Sequence, residues 1–481
     1  MSNHTSTTNV GLKPYIVLIT LIATLGGLLF GYDTAVISGA EGSLREYFIN
    51  PRHMTDVNAA NSLHGFVVAS ALIGCIIGGF LGGWVSSALG RKRGLIVAAA
   101  LFLVSGLGSA APEFLFAKIG SGGADYIWHF VFYRIVGGIG VGLASMLSPM
   151  YIAEIAPARL RGNLVAWNQV AIIGGMLVVY FVNYFISKGG GGDEWLNSVG
   201  WRYMFLSLGV PATLFLLLLF FVPETPRYLM LKNRREEAHA VLLRLGSEAE
   251  AQKEITEISA SLNQHHSGKL FSFGMLVVVI GLLLSIFQQF IGINVVLYYA
   301  PQIFRNMGSG TNAALLQTII VGAVNLGFTV VAVLTVDKYG RKPLQIIGAL
   351  VMCLSMAALG FSFLLHEQGL AALICMLAYI AGFAVSWGPV TWVLLSEIFP
   401  NQIRAKAMAL AVAVQWVANY LVSWSFPIMN DNPTLVEKFN HGFPYWIYAV
   451  MSLLAAWFVW KLVPETKGKT LEELEKLWVK K

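Results

Sequence analysis

A carboxylate in the middle of an apolar run is the strongest chemical signal in this chain. Asp33 sits in IATLGGLLFGYDTAVISGA, and no other charged residue occurs from Tyr15 to Ala40. That run is long enough to cross a bilayer, which takes about 20 apolar residues. A charge at such depth costs about 2.5–3.5 kcal/mol on insertion scales, so it faces protein or a water-filled cavity, and many such groups carry protons. Arg134, in IWHFVFYRIVGGIGVGLASM, is the one basic residue inside an apolar run. With the first span running outward and the fourth inward, Asp33 lies about seven residues, roughly 10 Å, from the outer end of its span, and Arg134 about six from the start of its own. The two charges then share a depth. An Arg beside a carboxylate favours its ionised form, and withdrawing the Arg favours the protonated form. The pair reads as a proton switch, or as a static salt bridge that only locks helices together.

A second set is made of uncharged amides. Gln288, Gln289 and Asn294 lie in IFQQFIGINVVLYYAP, with Gln169, Asn325, Gln415 and Asn419 in other apolar runs. An amide donates and accepts, which suits a neutral polyol. The plainer reading is helix–helix adhesion, worth about 0.6 kcal/mol per bond; for the cluster at 288–294 a binding site is favoured. On an ideal helix Gln289 and Asn294 point about 140° apart. They converge only if the backbone breaks between them, and Gly292 is placed to allow it. Trp387-Gly388-Pro389 marks a second break. Phe30, Tyr298, Trp392 and Trp416 supply aromatic faces of the kind that pack against a sugar ring. Phe30 is one turn from Asp33. Most of the 13 Trp are better read as packing or interfacial belt; Trp392 and Trp416 stand out because they adjoin Gly388 and Gln415.

A third set is charged and lies between apolar runs. Arg91, Glu154 and Arg161 recur later as Arg341, Glu397 and Arg404, joined there by Asp337. These residues can form ion-pair networks across the inner span ends. Broken when the inner side opens, such networks would favour the outward-facing state. The simpler reading is topology control by positive charge.

The elements that must position these residues are membrane helices. The chain has 481 residues, 56% hydrophobic and only 12% charged, against about 25% charged in a soluble domain. Twelve apolar segments lie near 14–40, 62–88, 94–113, 128–152, 163–187, 201–222, 272–300, 313–336, 343–365, 370–396, 405–428 and 443–463. Most Lys and Arg then fall on one side, which puts both termini in the cytoplasm. The N-terminal residues are polar, with no cleavable signal pattern. Cys75, Cys353 and Cys375 lie inside apolar segments and read as small core residues; the nine His show no ligand spacing, so no metal site is expected. No cofactor is expected. No phosphate-binding GxxxxGK[ST] run occurs, so neither nucleotide nor nucleic acid is an expected partner, and no nucleophile–base arrangement suggests an enzyme.

The two halves share a grammar. Gly90-Arg91-Lys92 returns as Gly340-Arg341-Lys342, and Pro223-Glu224-Thr225 as Pro464-Glu465-Thr466. The expected fold is an all-α membrane protein of two six-helix halves, 1–223 and 271–464. A cytoplasmic linker with two short amphipathic helices (224–270) joins them, and a C-terminal cytoplasmic helix (465–481) opens on the capping box Thr470-Leu471-Glu472-Glu473. On that helix Leu471, Leu474 and Trp478 share a face.

The motifs GRKR, YIAEIAPARLRG, PETPR, QQFIGINVVLYYAP, DKYGRKP, WGPVTWVLLSEIFPNQIR and PETKGKTLEEL resemble the sugar porter family of the major facilitator superfamily, from about residue 14 to 478. The resemblance implies proton-coupled symport of a monosaccharide, with D-xylose the leading substrate, by a monomer in the bacterial inner membrane; the alternative is an uncoupled hexose or pentose facilitator. It implies the proton switch at Asp33 and Arg134. It also implies a sugar site on Phe30, Gln169, Gln288, Gln289, Asn294, Tyr298, Asn325, Gly388, Trp392, Gln415 and Trp416. Three positions depart from the pattern. Leu208 stands where close relatives carry an acid near the Arg, Met176 where a xylose-specific relative carries an amide, and Ser87 near a motif Asp.

Overall fold

In a computed structural model of the chain, residues 14–121, 123–157, 161–263, 269–366, 369–400, 402–469, 473–475 and 478 are described, with backbone alone at 161–163, 261–263 and 337. The twelve apolar segments become twelve helical spans: Pro14–Arg52, Val57–Ala88, Arg91–Ala110, Gly123–Ile155, Leu164–Gly189, Asp193–Leu219, Met275–Asn306, Thr311–Val336, Arg341–Leu364, Leu370–Ile398, Arg404–Asn430 and Phe443–Leu462. They are spans 1 to 12 below.

Span 1 runs past its expected end at Ala40. The helix rewinds over Ile37–Leu44, makes a π-helical turn at Arg45–Ile49 and closes at Asn50–Arg52. The apolar run stops at Glu41, but Glu41 and Arg45 find partners of opposite charge (below), so the helix continues through charged residues.

Close approach of backbones fixes span 4. A Cβ on Gly138 would lie 1.8 Å from the Ala71 carbonyl oxygen of span 2. Only glycine permits that contact, and such small-residue seams are how membrane helices pack without a hydrophobic drive. Gly31 does the same for span 1, where a Cβ would meet the Ile172 carbonyl of span 5 at 1.8 Å. Asp33 and Arg134 each lie within a turn or so of such a seam, so their depth is set by backbone contact.

The repeated motifs have a repeated structure. Gly90 and Gly340 both take φ +92°, just before spans 3 and 9. The Glu224 carboxylate accepts from the backbone N–H of Arg91 (3.0 Å) and Lys92 (3.1 Å), and Glu465 from those of Arg341 (3.2 Å) and Lys342 (3.1 Å). Each half thus caps the exposed N–H groups of its third span with an acid that follows its sixth.

Three short helices, Pro226–Leu231, Arg235–Leu245 and Glu248–Asn263, follow span 6, one more than expected. In the tail, residues 470–472 lie outside the described residues; Leu474 and Trp478 are buried as their shared face requires, and the Trp478 indole donates to the Ile398 carbonyl at 3.1 Å. The two halves meet along spans 2 and 11 and along spans 5 and 8.

Candidate functional site

Asp33 and Arg134 meet as their depths require. Arg134 Nη1 donates to Asp33 Oδ1 at 2.8 Å and Nη2 to the Asp33 backbone carbonyl at 3.1 Å. Both side chains are buried, 0% and 1% exposed. The guanidinium stands over the Phe205 ring of span 6, 5.3 Å from its centre. Asp33 Oδ2 accepts no hydrogen bond from the described residues. It lies beside Gly137 and Ser105: a Cβ on Gly137 would be 3.2 Å from Oδ2 and 2.3 Å from Ser105 Oγ. One carboxylate oxygen is therefore held by Arg134 and the other stands without a partner among the described residues. Leu208 is fully buried beside Gly106 in the same half. Among the described residues no second acid joins the pair.

The amides also converge. Span 7 breaks into Met275–Phe290 and Ile293–Asn306, with Gly292 between them at φ +91°. Asn294 Nδ2 then donates to Gln289 Oε1 at 2.5 Å, which an unbroken helix would forbid. Gln289 Nε2 donates to Gln288 Oε1 at 3.3 Å, and Gln415 Nε2 of span 11 donates to the same oxygen. Gln288 Nε2 reaches the Trp387 carbonyl at 2.9 Å and, more weakly, that of Gly388 at 3.4 Å. That last contact exists because span 10 breaks between Val385 and Pro389, which frees its carbonyls. Spans 7, 10 and 11 are thus tied through one side chain, Gln288.

Around this chain of amides stand the aromatics. Phe30 of span 1 meets Trp416 of span 11 with ring centres 5.7 Å apart, across the two halves. Tyr298 bonds Asn419 and sits within electrostatic reach of Asp33 and Arg134. Gln169 and Trp392 are half-buried, and neither side chain hydrogen-bonds a described residue. Asn325 is buried, and its Oδ1 has no partner among the described residues. Met176 is buried where the backbones of spans 1 and 5 touch: a Cβ on Gly31 would lie 3.1 Å from its backbone nitrogen.

On the inner side Arg91 pairs with Glu154 (2.7 Å) and Arg341 with Glu397 (2.9 Å). Ser87 takes no part; its hydroxyl donates to Trp84 O, while Arg91 uses the Ser86 carbonyl. Arg404 differs from expectation. Its Nε donates to the Phe399 carbonyl at 3.2 Å, capping the end of span 10; among the described residues it makes no ion pair, although the Glu475 carboxylate lies within electrostatic reach. The side chains of Arg161 and Asp337 lie outside the described residues. Each pair joins two spans of one half, so a rocking motion of the halves leaves it intact. Among the described residues, these two pairs tie spans within each half.

Sequence reasoning missed the polar groups that do cross between the halves. Glu41, Arg45, Asn61 and His64 face Gln302, Arg305 and Asp431 at the outer ends of the spans. Their sole signal is that Glu41 directly follows the apolar run and still ends up 1% exposed.

The chain matches the family described as "Sugar (and other) transporter" over residues 19–478. A D-xylose-proton symporter of Escherichia coli (strain K12) is 60% identical over 472 residues, 96% of each chain. A glucose facilitated diffusion protein of Zymomonas mobilis is 44% identical, over 96% of this chain and 97% of its own. The inward open conformation of the xylose transporter XylE from E. coli superposes with a TM-score of 0.87 at 58% identity, covering 96% of this chain and 100% of that one. With the same twelve spans, the same paired halves and a family match along nearly its whole length, this chain belongs to the sugar transporter family of the major facilitator superfamily and is an integral membrane protein.

Proposed function

We propose that this protein carries D-xylose into the cell together with a proton, by alternating access. The observation that carries the reading is the buried Asp33–Arg134 pair, one helical turn from Phe30, which itself touches Trp416 beside the amide cluster. Asp33 takes the proton on Oδ2. Protonation removes the charge that holds Arg134 and leaves only its bond to the Asp33 backbone carbonyl, which loosens span 1 against span 4 and lets span 1 shift as the carrier changes state. The 60% identity to a D-xylose-proton symporter supports both cargo and coupling.

The sugar binds between the halves on Gln288, Gln289, Asn294 and Gln415, with Gln169, Asn325, Tyr298, Trp392, Phe30, Trp416 and the backbone at Gly388 around it. In this structure the amides bond one another, so a sugar hydroxyl replaces an existing bond instead of filling a gap. Such exchanges yield about 0.5–1.5 kcal/mol each. That is tight enough to recognise a polyol and loose enough to release it. The functional units are 1–223, 224–270, 271–464 and 465–481, acting as a monomer in the bacterial inner membrane. The bias of Lys and Arg supports cytoplasmic termini.

The test is the medium pH when xylose is added to de-energised cells making the protein: symport alkalinises the medium, and a facilitator leaves it unchanged. Asp33→Asn is expected to abolish uphill uptake while xylose exchange across the membrane persists. Equal accumulation by the variant would remove Asp33 from the coupling role.

A further inference from the structure

Among the described residues, the ion pairs between the two halves lie toward the outer face; deeper, beside Tyr298, the Tyr180 hydroxyl also donates across the halves to the Leu297 carbonyl at 3.0 Å. Two clusters dominate. In the first, Glu41 of span 1 accepts from Arg305 Nη2 of span 7 at 2.5 Å and has His64 Nε2 of span 2 at 3.5 Å. Gly42 leaves the room that the guanidinium needs: a Cβ there would lie 2.7 Å from Arg305 Nη2. In the second, Arg45 Nη1 of span 1 meets Asp431 Oδ2 at 2.6 Å, just after span 11, while its Nη2 donates to Asn61 Oδ1 at 2.7 Å. Asn61 returns a bond to the Asp431 carbonyl at 3.0 Å, and Gln302 Nε2 reaches Asp431 Oδ2 at 3.2 Å. In each cluster the charges come from opposite halves, and in both the partner on the first half belongs to the π-turned extension of span 1.

We propose that Glu41–Arg305 and Arg45–Asp431 form an ionic latch that closes the outer mouth and sets how often the carrier faces outward. The physical argument is differential burial. Glu41 is 1% exposed and His64 fully buried with the mouth closed. Opening the mouth separates the halves at this level and gives both groups to water. A buried carboxylate without its cation is strongly unfavourable, whereas a hydrated one is not. The pairs therefore stabilise the closed arrangement alone. Removing one partner destabilises that arrangement and leaves the open one untouched, so the population shifts outward. The inner pairs, which join spans within a half, have no such effect.

The consequence for uptake rests on the transport reading; the geometric claim does not. If the outward-facing fraction rises from a tenth to a half, the apparent Kd for external sugar falls about fivefold.

The experiment is a distance measurement on the full chain in lipid nanodiscs, with spin labels at the exposed positions Val57 and Thr434, on opposite sides of the outer mouth. Arg45→Asp sets a carboxylate against Asp431 and is expected to lengthen the inter-label distance. The exchange Arg45→Asp with Asp431→Arg restores the pair with charges reversed and is expected to return the distance to the parent value. Arg305→Gln, at a position one-third exposed, tests the first cluster and is expected to lengthen it too. Unchanged distances in Arg45→Asp and Arg305→Gln overturn the latch. Lengthening that the charge exchange does not reverse also overturns it, because the pairing itself is then not what closes the mouth. In right-side-out vesicles the half-saturating external xylose concentration is expected to fall severalfold in Arg305→Gln. A longer distance without that fall keeps the latch and counts against the transport reading.

Discussion

At the scale of single residues, two buried side chains organise the site: Asp33, with one oxygen that has no partner among the described residues, and Gln288, which has none to spare. Gln288 takes bonds from Gln289 and Gln415 and gives one to the Trp387 carbonyl. Gln288→Ala removes all three, and leaves two amides and a carbonyl to find new partners. Its binding affinity for xylose is expected to fall about tenfold, equivalent to about 1.4 kcal/mol, as measured by calorimetry on the purified protein. Asp33 was legible in the sequence because a charge within an apolar run is rare. Glu41 and His64 were not, because a charge at the end of such a run is ordinary until the opposite half is seen against it. Arg404 shows the same limit: its place in a repeated motif suggests a carboxylate partner, whereas its nearest bond is to a freed carbonyl at the end of span 10.

At the scale of elements, the breaks were readable and the caps were not. Gly292 and Trp387-Gly388-Pro389 announce their breaks locally, through residues that a continuous helix tolerates poorly. The capping of spans 3 and 9 joins residues more than 120 positions apart, and only the repetition of the motif hinted at it. Glu465 lets the capping be tested by pH. Burial alone would raise its pKa, but the backbone N–H groups of Lys467, Arg341, Lys342 and Thr466 act against burial and hold the carboxyl below its usual range. A group depressed on folding contributes stability that is fully present above the unfolded value, about 4.3, and lost as pH falls through the folded value. Glu465→Gln is expected to lose about 1 kcal/mol at neutral pH, the size of a helix cap. Its thermal stability is also expected to change less than the parent's between pH 5 and pH 3, by about that same amount. A parallel pH dependence in both proteins would mean that the carboxylate does not act as a cap.

At the scale of the whole molecule, the twelve spans and their two-fold grammar followed from composition and repetition, because a bilayer leaves few alternatives to helices. How the halves face one another did not follow, since every cross-half bond joins residues distant in sequence. The inner pairs give this scale its prediction. Arg341→Gln breaks a bond between spans 9 and 10 and is expected to lower the unfolding temperature by several degrees, for a loss of about 1–3 kcal/mol. Because both partners ride on one half, the outer-mouth distance is expected to stay at the parent value. A shift in that distance would give the inner pair a part in gating that its geometry does not support.

The left-handed residue in the middle of span 7 has a mechanical corollary. Gly292 divides the span into a root, Met275–Phe290, and an arm, Ile293–Asn306. Asn294 lies two residues along that arm and Arg305 thirteen, about 3 Å and 20 Å from the pivot at 1.5 Å per residue. A swing of roughly 10° about Gly292 would carry the tip some 3 Å, enough to part Arg305 from Glu41, while the base moves only about half an ångström. A swing of this arm can thus leave Asn294 beside Gln289 and still part the ion pair near its tip, with leverage in place of a second moving part, and Pro301 within the arm gives it a second place to bend.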